Sequence, residues 1–292
     1  MSYLTSISKV KSLIEKYDLR PRKSLGQNFL LSHGVLEQIV AAAALEPDDV
    51  VLEIGPGLGV LTRELAAAGA KVIALELDRG FLTVLQESLA DCDNVELVHG
   101  DALKIDLRAL MAQKSNNGRF KLVSNLPYYI TTPLVTRVLE EEMPLERMVI
   151  MVQKEVAARF TALPGTKEYG SLSVLVQYYT RPSIVCRVSR RAFYPPPEVD
   201  SAVVKLVKRD VPAVRVANRS LFFKIVRAAF AQRRKVLPKA LAGAGLAASK
   251  DEWAKILQSA GIDPRRRGET LSLEEFARVA ASVEKVRGTL LV

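Results

Sequence analysis

The run Ser124-Asn125-Leu126-Pro127-Tyr128-Tyr129 puts an amide, a rigid ring and two aromatics within one turn of chain. An exocyclic aromatic amine, such as N6 of adenine, is a poor nucleophile because its lone pair is delocalised into the ring. The amide oxygen of Asn125 and the backbone carbonyl of Leu126 are suited to accept the two hydrogens of such an amine. Those hydrogen bonds would draw the nitrogen toward tetrahedral geometry and aim its lone pair at an electrophile. Pro127 would stiffen the loop, and Tyr128 would offer a face on which a base stacks. No strong base is demanded, since positioning and electrostatic preorganisation would carry the rate. Taken singly, the same residues also make an Asn-capped proline turn with two core tyrosines.

A second constellation lies upstream, in Leu52-Glu53-Ile54-Gly55-Pro56-Gly57-Leu58-Gly59. Gly55, Gly57 and Gly59 allow tight turning and let a ligand lie against the main chain. The dinucleotide fingerprint would need a glycine at Val60. The spacing present suits a cofactor without a pyrophosphate, of which S-adenosylmethionine is the usual one; a purely structural turn is the alternative. Glu76 follows about 20 residues later, where an acid commonly accepts ribose hydroxyls. Asp101, after Gly100, is placed to hydrogen-bond an adenine amine. All three features fall at strand carboxyl ends, the edge where open α/β sheets bind ligands.

The elements that position these residues are legible as alternating β-rich and helical runs. Strands are expected at Val50–Ile54, Lys71–Leu77, Val95–Val98, Lys121–Ser124, Met148–Val152, Ile184–Val188 and Ala202–Val207. Helices such as Gly59–Ala68 and Gly80–Ala90 fit between the first five, which argues for parallel βαβ units. Phe193-Tyr194-Pro195-Pro196-Pro197-Glu198 is too short and proline-rich for a crossover helix, so the last two strands should form an antiparallel edge pair. Beyond Pro212 the strand signal disappears. The expected fold is therefore α/β, a Rossmann-like sheet over 1–208 (with 1–48 a basic segment and helices), followed by a small all-helical domain over 209–292. Ser272-Leu273-Glu274-Glu275 has the form of a capping box opening the last helix.

Composition narrows the partners. No apolar run approaches the roughly 20 residues a membrane helix needs, and the N-terminus does not read as a signal peptide. Cys92, Cys186, His33 and His99 have no ligand-like spacing, so no metal site is expected and the thiols fit a reducing cytoplasm. Of the net charge of +10, residues 1–30 contribute +4, residues 31–208 contribute −3 and residues 209–292 contribute +9. Basic ends around a near-neutral body suit a polyanion-binding protein. A helix over Phe222–Leu237 would put Lys224, Arg227, Arg234 and Lys235 on one face as candidate phosphate contacts, with Arg265-Arg266-Arg267 nearby in sequence. An ordinary solvated charged face is the alternative. Arg233 would fall on the apolar face and is expected to pair with an acid, across the domain interface; Pro238 should end or kink the helix.

The tetrad Asn125-Leu126-Pro127-Tyr128 after a glycine loop resembles the signature of N6-adenine and amino methyltransferases. Leu25-Gly26-Gln27-Asn28-Phe29-Leu30 and Phe193-Tyr194-Pro195-Pro196-Pro197-Glu198-Val199-Asp200-Ser201 narrow the resemblance to the rRNA adenine N6-dimethyltransferase family, over nearly the whole chain. The resemblance implies that Gln27, Asn28 and Leu30 cover S-adenosylmethionine and that Phe193 sandwiches the target base against Tyr128. One branch of the family dimethylates two adjacent adenines near the 3′ end of small-subunit rRNA and gives kasugamycin sensitivity. The other dimethylates one large-subunit adenine and confers macrolide resistance. Val152-Gln153-Lys154-Glu155-Val156-Ala157, Phe230-Ala231-Gln232-Arg233-Arg234-Lys235 and the stretch from Gly261-Ile262-Asp263-Pro264 to Leu271-Ser272 resemble the small-subunit branch. That implies a monomeric enzyme acting on 16S rRNA within the 30S subunit or its assembly intermediate. The rivals are a non-catalytic RNA-binding assembly factor, a nicotinamide-dependent oxidoreductase, and a methyltransferase acting on DNA or a small amine.

Overall fold

The computed structural model describes residues 6–19, 27–115, 118–245 and 249–289. Contacts divide the chain into two compact units, one within 1–157 and 181–208, the other within 158–180 and 209–292.

The first unit is built on a seven-stranded sheet. Its strands are β2 (Val50–Ile54), β3 (Lys71–Glu76), β4 (Val95–His99), β5 (Phe120–Asn125), β6 (Leu145–Gln153), β7 (Thr180–Val188) and β9 (Ser201–Lys208), in the order β4-β3-β2-β5-β6-β9-β7. The first five of these pair in parallel, and β9 runs antiparallel to β6. β2 is buried along its whole length, as a parallel strand covered on both faces must be. Helices α2 (His33–Ala43) and α3 (Val60–Ala67) supply one such cover, through Leu36, Ile39, Leu61 and Leu65. Helix α4 (Arg79–Ser88) starts where the Asp78 carboxylate accepts the Gly80 N–H at 2.9 Å, an N-cap that satisfies an otherwise orphaned donor. The chain runs from β2 outward to β4, then returns to lay β5 on the other side of β2. The strand order therefore reverses between β2 and β5, the position where open sheets leave a crevice.

Two further strands were not legible beforehand. β1 (Phe29–Leu30) and β8 (Phe193–Tyr194) pair antiparallel, Phe29 with Tyr194 and Leu30 with Phe193. Leu31 extends the ladder by donating to the Ala192 carbonyl at 2.8 Å. Helix α1 (Ile7–Lys16) sits in a cluster with Phe29, Leu58 and Phe81 through Val10. Leu25 and Gly26 of the upstream motif lie outside the described residues.

In the second unit, α8 (Ser171–Tyr179) packs Tyr178 and Tyr179 on Phe222 and Phe223 of α9 (Arg219–Ala231), with ring centroids 5.1 to 5.9 Å apart. Tyr169 meets Phe230 edge-on and donates to the Leu271 carbonyl at 3.0 Å. These contacts are why residues 158–180, expected with the sheet, fall with the helical unit instead. The helix expected over Phe222–Leu237 ends at Ala231, and Arg234 and Lys235 sit on the turn that follows. Arg233 explains the break. Its guanidinium donates to the carbonyls of Lys167 (2.8 Å) and Tyr169 (3.1 Å) and pairs with Glu269 at 3.3 Å. Its acid partner is thus inside its own unit. Pro238 opens α10 (Leu237–Leu241) rather than closing the preceding helix, because a first-turn residue needs no N–H.

The expected capping box forms: Ser272 N–H meets Glu275 Oε2 at 2.9 Å and Glu275 N–H meets Ser272 Oγ at 3.3 Å. Glu275 also takes the Arg266 guanidinium at 2.6 Å, while Arg265 turns to Asp263 at 3.0 Å. Arg266 is therefore tied into the fold, and Arg265 is held in a local surface pair. Gly268 brings its turn against α9 so closely that a Cβ would lie 2.7 Å from the Ala229 carbonyl oxygen. Gly268→Ala should cost about 1–3 kcal/mol, read as a lowered melting temperature with cofactor binding unchanged.

Candidate active site

The crevice at the strand-order reversal is lined by the glycine loop, the ends of β3, β4 and β5, and the segment around β1. Gly55 (φ +69°) and Gly57 (φ +60°) both sit in the left-handed region. A Cβ at Gly55 would lie 3.3 Å from Cγ and Cδ of Pro127, and one at Gly57 would lie 3.4 Å from the Phe29 ring. The glycine loop thus touches both the tetrad and the upstream segment directly. Gly59 does a different job. It does not line the crevice but packs against Leu85 and Leu89, at 3.0 and 3.4 Å from the position of its absent Cβ, as α3 begins.

Gln27, Asn28, Leu30, Gly55, Gly57, Glu76, Asp101 and Asn125, each expected at a cofactor, all line this one crevice. Glu76, 6% exposed, accepts the Asp78 N–H at 2.8 Å. Burial nonetheless holds its carboxyl above the usual range. Asp101 Oδ1 accepts the Leu103 N–H at 2.9 Å, with Lys104 3.5 Å from its other oxygen. Asn125 donates from Nδ2 to the Asn28 carbonyl at 3.3 Å. That bond fixes which end of the amide is which and leaves Oδ1 as the acceptor end.

Leu126 is buried, and its N–H is tied to the Met151 carbonyl of β6 at 3.3 Å. The Tyr128 hydroxyl shares a hydrogen bond with Ser201 Oγ at 2.6 Å. Neither Tyr128 nor Phe193 borders the crevice. Phe193 is 3% exposed, paired with Leu30 and packed among Leu36, Val188 and Val203, so a base reaching its ring must displace neighbours. Tyr129, to which the sequence assigns no role, is 49% exposed on the crevice wall. Burial, then the charges of Asp101 and Glu76, push its phenol up.

Glu53 is the other residue sequence reasoning did not single out. It is 2% exposed, borders the crevice, and its Oε2 has no hydrogen-bond partner among the described residues. Burial raises its carboxyl to about 8, Glu76 adds to the rise, and the nearby Thr62 hydroxyl offsets part of it without a hydrogen bond of normal geometry. The signal was available: an acid inside the apolar run Val50–Ile54 is out of place unless something uses it. Among the described residues the crevice is bordered by three acids, Glu53, Glu76 and Asp101, and by no lysine or arginine. A cationic ligand would find counter-charge on these walls, which fits the sulfonium of S-adenosylmethionine.

The Glu53 shift has a pH signature. Its folded value lies above the unfolded one, so the ligand-free fold holds a proton that the unfolded chain releases from pH 4.5 to about 8. Across that window ligand-free stability should fall with rising pH, at up to about 1.4 kcal/mol per unit. A cation bound beside Glu53 favours the carboxylate, so affinity should rise toward pH 8 and level off above it. Titration calorimetry from pH 6 to 9 checks this, with Glu53→Gln giving a flat profile over the same range.

Among the described residues no group of three His, Cys, Asp or Glu could hold a metal ion. No helix among them is long and apolar enough to cross a membrane.

The comparisons agree with this geometry. Residues 19–283 match the family model for ribosomal RNA adenine dimethylase. A curated relative from Pelotomaculum thermopropionicum, ribosomal RNA small subunit methyltransferase A, is 50% identical over 288 residues, covering 97% of this chain and 98% of that one. The crystal structure of a dimethyladenosine transferase from Plasmodium falciparum superposes with a TM-score of 0.74 at 27% identity, covering 88% of this chain and 98% of that one. The 23S rRNA methyltransferase ErmE gives 0.67 at 28% identity, with coverage of 88% and 100%. With the glycine loop, the tetrad and the acid-lined crevice all in place, the chain belongs to the ribosomal RNA adenine dimethylase family.

Proposed function

We propose that this chain transfers methyl groups to N6 of two adjacent adenines near the 3′ end of small-subunit rRNA, converting each to N6,N6-dimethyladenosine. The observation that carries the reading is a crevice whose charged lining residues are all acids, with the Asn125 amide on its wall. S-adenosylmethionine supplies an electrophilic methyl on a sulfonium centre. Glu53 would answer the positive charge, Glu76 would accept ribose hydroxyls, and Asp101 would accept from the adenine amine. Gln27, Asn28 and Leu30 would cover the ligand, with Gly55 and Gly57 giving it the backbone to lie against.

Asn125 Oδ1 and the Leu126 carbonyl would accept the two hydrogens of the target amine, as Pro127 fixes the loop and Tyr128 stacks on the base. Phe193 would complete the sandwich after moving from its packed position. Once the first methyl is in place, only one amine hydrogen is left, so the two acceptors cannot both be engaged in the second transfer. Lys224, Arg227, Arg234 and Lys235 are exposed and would meet RNA phosphates from two places, α9 and the turn after it. Lys224 also reaches the Gly245 carbonyl at 3.4 Å. The small-subunit substrate is favoured by 50% identity to the small-subunit relative, against 28% to ErmE.

The test is transfer of labelled methyl to unmethylated small subunits, with the product nucleoside identified by mass spectrometry. Dimethyladenosine confined to small-subunit RNA is the expected result. Label on large-subunit RNA alone would overturn the substrate. No label on either, despite cofactor binding, would favour a non-catalytic assembly factor.

A further inference from the structure

Summed charge makes 31–208 slightly acidic, and that sum hides a local run. From Arg181 to Arg191 the chain carries four arginines (181, 187, 190 and 191) and no acid. The run occupies β7, the last strand of the sheet order, and the short turn Arg190–Ala192 after it. All four arginines are exposed.

Some arginines elsewhere find acids, as Arg63 does with Asp91 at 2.8 Å, Arg265 with Asp263 at 3.0 Å and Arg233 with Glu269 at 3.3 Å, while others such as Arg79, Arg215 and Arg267 are exposed with no ion pair among the described residues. Arg181, Arg187 and Arg191 make no ion pair among the described residues. The two acids nearest in sequence are already engaged or turned elsewhere. Asp200 takes the Arg190 backbone N–H at 3.0 Å and faces Lys154 at 4.0 Å, and at Glu198 it is the backbone carbonyl that meets the Arg190 guanidinium, at 3.5 Å.

Resting on the reading of the substrate as RNA, we propose that β7 and its following turn form a second phosphate-binding ridge, on the catalytic unit itself. Arg181 and Arg187 are six residues apart on one strand, so they share a face and stand about 20 Å apart. Guanidinium is the side chain best matched to phosphate, binding it bidentately. Arg191 lies two residues before Phe193, so the ridge runs into the loop expected at the target base. It would hold the RNA backbone beside that base, while the helical unit supplies contacts of its own.

Charged side chains on an edge strand also discourage pairing with another chain. Charge reversal separates the two roles, because glutamate protects an edge as well as arginine does but repels phosphate. The experiment compares Arg187→Glu/Arg191→Glu, Arg187→Lys/Arg191→Lys and the native chain. It measures binding to unmethylated small subunits at several salt concentrations, cofactor affinity and melting temperature.

The Glu pair should weaken RNA binding at least tenfold at low salt and lower the slope of log K against log salt by about 2. Cofactor affinity and melting temperature should stay unchanged, and the Lys pair should keep most of the binding. A native salt slope in the Glu pair overturns the ridge. So does a fall in melting temperature in both pairs, which would assign these residues to the fold. If the native chain itself neither binds nor methylates the subunit, the functional reading fails first and the ridge falls with it.

Discussion

Asn125→Ala should abolish methyl transfer to RNA while changing S-adenosylmethionine affinity only a few-fold. The substitution removes one of two acceptors that would pull the amine out of conjugation, and nothing else in the tetrad replaces it. Loss of a single preorganised polar group at a reacting centre costs about 100-fold to 1,000-fold in kcat. Cofactor affinity should survive because Asn125 is one of many residues on the crevice wall, whose acids and backbone turns are unchanged. The Nδ2 donation to Asn28 is also lost, so some loosening of the upstream segment is expected. Single-turnover rates with saturating cofactor isolate the chemical step. Native turnover by the alanine variant would sink the proposed role of the amide.

Gly55→Ala should lose both cofactor binding and transfer, each by tenfold or more. A Cβ there meets the Pro127 ring at 3.3 Å, and φ of +69° is strained for any L side chain. The left-handed conformation alone costs roughly 1–2 kcal/mol. A second effect is displacement: Pro127 must give by a few tenths of an ångström, and it is flanked in the chain by Asn125, Leu126 and Tyr128. Gly69→Ala is the control. Its φ is +88°, yet nothing lies within 4 Å of the added carbon. That variant should lose about 1–2 kcal/mol of stability and no activity. If the two variants behave alike, backbone strain and not contact with Pro127 is what matters at Gly55.

The parallel half of the sheet and its crevice were legible because they are written locally. Buried strands such as Val50–Ile54 announce themselves as apolar runs, and two of the three crevice acids, Glu76 and Asp101, fall at or just beyond a strand end. What escaped was written between distant segments. β1 and β8 are two residues each, too short for any period, and join positions 29–30 to 193–194. Helix α9 stops short of the length that its periodicity suggests because Arg233 finds better partners off the helix. Tyr129 was unreadable for another reason: adjacent tyrosines look alike in sequence, and only the turn decides that Tyr128 bonds Ser201 while its neighbour faces the crevice. The edge arginines were present in the sequence throughout but cancelled in a sum over a long segment.

The β1–β8 ladder bears on timing. Leu30 borders the cofactor crevice, and its partner Phe193 belongs to the loop expected at the base. An exit path for used cofactor that moves Leu30 aside must either unzip this ladder or drag Phe193 along. Two methyls on one adenine need a fresh cofactor between them. The enzyme would then have to slacken its grip on a half-finished base each time it reloads, and the monomethyl product would have its chance to escape in that interval.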